Sequence, residues 1–147
     1  MKEIILAISG KPGLFQLVSR GRSTLVVETL DEQKRRSSVS LRDRISSLND
    51  ISIYTDDEDV RLMNVFESIR VKYEGQPVGI DARKATKEQL GDFLAEVLPN
   101  YDRDRVYPGD IKKIILWYNI LVKGGYTDFL VPEEGSEEAE AQETAAE

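Results

Sequence analysis

Near Thr55 the spacing of the apolar residues changes from one that suits strands to one that suits helices, and this change divides the chain more sharply than any other feature. Before it, short apolar or β-branched runs alternate with turn residues. Residues 4–8 are followed by Gly10, Lys11, Pro12 and Gly13, residues 14–19 by Gly21, Arg22 and Ser23, and residues 24–30 by Asp31, Glu32 and Gln33. Residues 34–40 can fold back on 24–30 as a hairpin. Residues 51–55 read as a last strand, after an irregular stretch holding Ile45 and Leu48. Five short strands in so few residues leave no room for crossover helices. The expectation for residues 1–55 is a strongly bent antiparallel sheet closing into a small SH3-like β-barrel.

After Thr55 the helical period takes over. Thr55, Asp56, Asp57 and Glu58 have the order of a capping box, which predicts a helix from there to about Tyr73 that buries Leu62, Met63, Phe66 and Ile69. Thr86, Lys87, Glu88 and Gln89 form a second box ahead of Leu90, Phe93, Leu94 and Val97, and Pro99 ends that helix. Pro108 suits the first position of a third helix, with Asp110 in its first turn and Gly124 and Gly125 at its end. Its residues Ile111, Ile114, Ile115, Leu116, Trp117, Tyr118, Ile120, Leu121 and Val122 are apolar almost all round, so it should be the most buried element. The whole reads as an α+β protein: the barrel, a three-helix unit at 56–127, and at 128–147 a short extended segment and an acidic tail. From Pro132 onward no large apolar residue occurs, so ordering the tail has no offsetting burial, and it is expected to be disordered.

Charge follows the same division. Residues 128–147 hold eight acids and no base, so residues 1–127 carry 20 bases against 19 acids. Within that body, residues 1–50 have a net charge of +3 and residues 51–127 a net charge of −2. The absence of Cys and His removes disulfides, thiolate chemistry, thiolate metal sites and the usual general base. No apolar run approaches the roughly 20 residues of a membrane span, and the start resembles no signal peptide, so the expected location is the cytoplasm, away from membranes.

The strings Ile5-Leu6-Ala7-Ile8-Ser9-Gly10-Lys11-Pro12-Gly13-Leu14-Phe15, Asp50-Ile51-Ser52-Ile53-Tyr54-Thr55-Asp56, and Val106-Tyr107-Pro108-Gly109-Asp110-Ile111-Lys112-Lys113-Ile114 with Trp117-Tyr118-Asn119 are distinctive. They resemble a family of small bacterial proteins known only as a domain of unknown function. The resemblance implies a bacterial cytoplasmic protein and brings no activity, ligand or catalytic residue.

Four constellations bear on chemistry. Asp56, Asp57, Glu58 and Asp59 could hold Mg²⁺ or Ca²⁺, but consecutive residues in a helical turn fan out where a hard cation needs convergent oxygens, so capping is preferred. Asn100, Asp102 and Asp104 open like an EF-hand loop and then fail, with Arg105 where Gly is required and Ile111 where Glu belongs. Gly10 and Lys11 echo a phosphate loop, yet Pro12 stands in place of its hydroxyl residue, and a turn between strands is preferred. Arg20, Arg22, Lys34, Arg35, Arg36, Arg42 and Arg44 could converge on a barrel rim that binds nucleic-acid phosphates, with Phe15 or Tyr54 as stacking platforms. The blander account gives these cations to outer faces and edge strands, where they suppress edge pairing. Trp117 and Tyr118 are assigned to the core rather than to a ligand pocket.

These observations point to a non-enzymatic interaction module that needs no cofactor and binds a protein partner. The alternative is RNA or DNA binding through the basic rim. A second alternative is a metal-dependent enzyme using carboxylates.

Overall fold

The computed structural model describes residues 3–11, 13–30, 33–40 and 42–130. The tail expected to be disordered lies almost wholly outside these residues. Strands β1 (Ile5–Ile8), β2 (Phe15–Arg20), β3 (Thr24–Thr29), β4 (Arg36–Ser40) and β5 (Ile45–Ser47) form one antiparallel sheet in the order β4-β3-β2-β1-β5. The hairpin of residues 34–40 on 24–30 is present, with Leu25 opposite Val39 and Glu28 opposite Arg36. Pleating explains why the sheet bends. Ile5 on β1 belongs to the main core, whereas Leu6 and Ile8 join Leu25, Val27 and Val39 in a second cluster on the other face. The sheet thus curls around a small core of its own.

It does not close. Among the described residues β4 and β5 are the two edges and do not pair, so the expected SH3-like barrel is an open, bent sheet. The fifth strand is also displaced. Residues 45–47, read from sequence as irregular, pair with β1 through Leu6–Ser47, Ala7–Ser46 and Ile8–Ile45. The expected last strand instead contributes β6 (Ser52–Ile53), which forms a two-stranded ribbon with β7 (Val60–Arg61) after a 3₁₀ turn at Leu48–Asp50.

That ribbon also moves the start of the first helix, α1, which spans Leu62–Lys72. Thr55 does not cap it. Its buried hydroxyl donates to the Glu58 carbonyl at 2.6 Å and accepts from the Asp57 N–H at 3.0 Å, closing a local turn. Helix α2 (Lys87–Val97) has the expected box: the Thr86 hydroxyl accepts from the Gln89 N–H, and the Gln89 side chain accepts from the Thr86 N–H. Helix α3 (Pro108–Lys123) begins at Pro108, and the Asp110 carboxylate accepts from the Tyr107 N–H at 3.0 Å.

The main core joins both halves of the chain. Ile5, Leu14, Leu30 and Leu48 pack with Leu62, Phe66, Ile69, Phe93, Ile114, Tyr118 and Leu121 in a single cluster. Burying one such side chain fully contributes about 1.5–3 kcal/mol. After α3 the chain turns back, so that Phe129 lies buried against the rings of Phe66 and Tyr118, and the Tyr126 hydroxyl bonds the Gln16 side chain at 3.1 Å. Residues 126–130 thus dock on the body through Tyr126 and Phe129.

Candidate functional site

Helix α3 has more apolar surface than its core contacts use, and the excess lines a concavity at its seam with the sheet. Ile111, Ile115, Tyr118 and Leu121 are buried. A second stripe, Asp110, Lys113, Ile114 and Trp117, has the i, i+3, i+4, i+7 spacing of one helix face and lines a groove of about 680 Å³. The opposite wall comes from the sheet, where Ala7 and Ser46 are cross-strand partners facing the helix. Ile51, Ser52, Ile53 and Tyr54 supply the floor, with Leu62 and Val106 beneath. A volume of this size lies in the range of ligand-binding clefts.

The rim is cationic. Lys11 comes from the β1–β2 turn, Arg44 from the approach to β5, Arg105 from the loop before α3, and Lys113 from α3, against a single lining carboxylate, Asp110. The turn carrying Lys11 is closed by its N–H donating to the Ile8 carbonyl, with Gly10 at φ +84°, a conformation glycine adopts without a steric penalty. Arg44 is fixed beside that turn by its carbonyl, which accepts from the Ser9 N–H at 2.9 Å. Arg105 is the cation most committed within the protein. Its guanidinium bonds the Asp102 carboxylate at 2.7 Å and the Thr55 carbonyl at 3.2 Å, and lies over the Tyr54 ring at 4.4 Å. The hydrogen bond from Arg105, followed by that from the Asp104 N–H, holds the Asp102 carboxyl below its ordinary range. Among the described residues Lys11, Arg44 and Lys113 have no carboxylate within ion-pair distance, so their charge is available to a ligand.

The seven cations singled out from the sequence are dispersed. Arg20 and Arg22 sit at the β2–β3 turn, and Arg42 follows β4, whose last residue Ser40 pairs with Thr24 beside that turn. Lys34, Arg35 and Arg36 lie at the other end of the same hairpin, where Arg36 forms an exposed ion pair with Glu28 at 3.1 Å. Only Arg44 reaches the groove, and of the two suggested platforms only Tyr54 does; Phe15 is half-buried against the sheet's own core. Tyr118 is in the core, as assigned. Trp117 packs against the same core, half-buried, and also lines the groove wall. Sequence reasoning considers Lys11, Arg105 and Trp117 in other roles and sets them aside, and it does not single out Lys113 as a candidate site residue.

No three acidic side chains among the described residues converge as metal ligands would. No helix among them is long and apolar enough to cross a membrane.

A bent antiparallel sheet sharing one core with three helices, with a cationic groove at the seam, defines a small α+β protein. Residues 2–48 match the Domain of unknown function (DUF5606), and residues 51–121 match the Domain of unknown function (DUF6852). A solution NMR structure of a Bacteroides vulgatus protein, a structural genomics target, is 46% identical to the chain, with a TM-score of 0.75. The match covers 93% of this chain and 99% of that one. The chain belongs to the same family of proteins of unknown function, as the resemblance in its sequence implies. No curated protein matches it.

Proposed function

We propose that the protein is a non-enzymatic interaction module that holds an extended, acidic segment of a partner protein in the groove between the sheet and α3. The observation that carries this reading is the placement of Lys11, Arg44 and Lys113, from three separate elements and with no ion-pair partner among the described residues, around one apolar-floored cleft. Charges so placed steer and orient an acidic partner more than they add raw affinity. The cleft's lining by Ile51, Ile53 and Ile114 favours a segment with apolar side chains over a bare polyanion.

Single-stranded RNA or DNA is the second reading, favoured by the aromatic rings of Tyr54 and Trp117 in the same groove. Against it, Arg105 already covers one face of Tyr54.

The test is fluorescence anisotropy with a labelled peptide rich in Asp and Glu and interspersed with Leu. Binding should weaken as salt rises. Lys11→Glu/Lys113→Glu should weaken it by about tenfold or more and flatten the salt dependence, whereas Arg35→Glu/Arg36→Glu should change it by less than about twofold. Equal sensitivity to both double variants would move the site away from the groove. A single-stranded oligonucleotide that binds more tightly and displaces the peptide would establish the second reading instead.

A further inference from the structure

Trp117 is the chain's only tryptophan, and its half-buried indole packs against the main core and also lines the groove. Its neighbour Tyr118 is fully buried and satisfied, its hydroxyl donating to the Gln76 carbonyl at 3.0 Å, and Ile114 is buried too, so that of the groove stripe Asp110, Lys113 and Trp117 keep surface within reach of a ligand. Apolar surface left in water forgoes roughly 25 cal/mol for each Å² that a ligand could cover. Beside the indole, Ile51 is also only partly buried, while Ile53 and Ile114 close the floor behind it. One turn back along α3 lies Lys113, and across the groove lie Lys11 and Arg44.

This arrangement has a spacing. Lys113 and Trp117 are separated by one helical turn, about 5–6 Å between their Cβ atoms. In an extended ligand, residues two apart lie on one side of the backbone about 6–7 Å from each other. An apolar side chain resting on Trp117 therefore brings the side chain two positions away to Lys113, whereas the adjacent residue points to the opposite side.

We infer that the groove reads an acid–any residue–apolar pattern in an extended partner segment, the apolar side chain seated against Trp117 and Ile51 and the carboxylate two positions away at Lys113. The inference rests on the acidic-segment reading and adds its specificity. The apolar position selects a leucine- or phenylalanine-sized group, because only such a side chain covers the exposed indole edge. Lys11 and Arg44, on the sheet side, receive acids that flank this unit.

The experiment uses the full chain and two peptides of identical composition. In one, each Asp lies two residues from a central Leu; in the other, each Asp is adjacent to it, with Ser filling the exchanged positions. A third peptide carries Ala in place of Leu. Since Trp117 is the sole indole, its emission reports occupancy without a label. The inference expects the two-apart peptide to bind about tenfold more tightly than the other two, and to be the one that shifts Trp117 emission to shorter wavelength. Equal affinities for the three peptides, with salt-dependent binding intact, would overturn the pattern while leaving the acidic-segment reading in place. Absence of binding by all three and by the longer acidic peptide would remove both. Trp117→Phe, which retains an aromatic body in the wall, should keep the preference for Leu over Ala, and Trp117→Ser should abolish it; a preference undiminished in a folded Trp117→Ser variant would also overturn the inference.

Discussion

Asp102 shows how one carboxylate can organise a loop whose EF-hand spacing fails. It accepts from the Asp104 and Arg105 N–H groups and from the Arg105 guanidinium, and so positions the cation that covers Tyr54. Because its folded pKa lies below the ordinary 3.8, its contribution to stability is fully present above that value and is lost as pH falls through the depressed one. Asp102→Asn should therefore be less stable than the parent near neutral pH, and the difference in denaturation midpoint should shrink steadily in acid. A difference that stays constant down to the most acid conditions would exclude the charged hydrogen bond as its source. The sequence displays Asp102 and Arg105 as an (i, i+3) pair, so this contact was legible. The reach of Arg105 back to Thr55, fifty positions away in the chain, was not, because it depends on an isolated bridge between Thr55 and Tyr101.

Two threonines at the scale of elements mark where local signals suffice and where they fail. Thr86 and Thr55 each stand three residues ahead of Gln or Glu, yet only Thr86 caps a helix. After Thr86 the apolar residues return at Leu90, Phe93 and Leu94, which gives the new helix a face to bury. After Thr55 come four acids and then Val60, whose pairing with Ile53 commits the backbone to a ribbon before α1 can begin. Strand β5 was missed for a related reason. Ile45-Ser46-Ser47 carries little strand propensity of its own and is held by the ladder that β1 offers it. The groove was hidden because α3 is apolar nearly all round, so its second stripe could not be told from its first until the neighbouring elements were in place. Long-range side-chain clamps were equally invisible. The Asn119 amide accepts from the Val78 N–H at 2.7 Å and donates to the Val78 carbonyl at 3.1 Å, tying the α1–α2 connection to α3. Asn119→Ala would leave both groups of a buried residue without these partners, and should cost about 2 kcal/mol in denaturant unfolding, with faster amide exchange at Val78. A loss below about 0.5 kcal/mol would show that water replaces the clamp.

For the whole molecule, two family matches meet between residues 48 and 51, while the main hydrophobic cluster takes side chains from both sides of that boundary. A shared core couples the halves energetically. Thermal unfolding followed by far-ultraviolet circular dichroism, which is dominated by the helices, and by Trp117 emission, which reports the seam, should give one coincident transition. Two midpoints separated by more than about 5 °C would mean that sheet and helices melt apart.

The seam has a consequence for inheritance. One wall of the cationic cleft is encoded by residues 7–11, 13, 44 and 46, the other by residues 51–54, 62, 105, 106, 110, 113, 114 and 117. Neither match alone specifies the cleft, so a homologue that kept one module and exchanged the other would lose one wall of this surface together with part of the shared core. Selection on such a surface acts on both modules jointly, and a ligand spanning it would hold them together, raising the resistance of the assembled chain to unfolding by mass action.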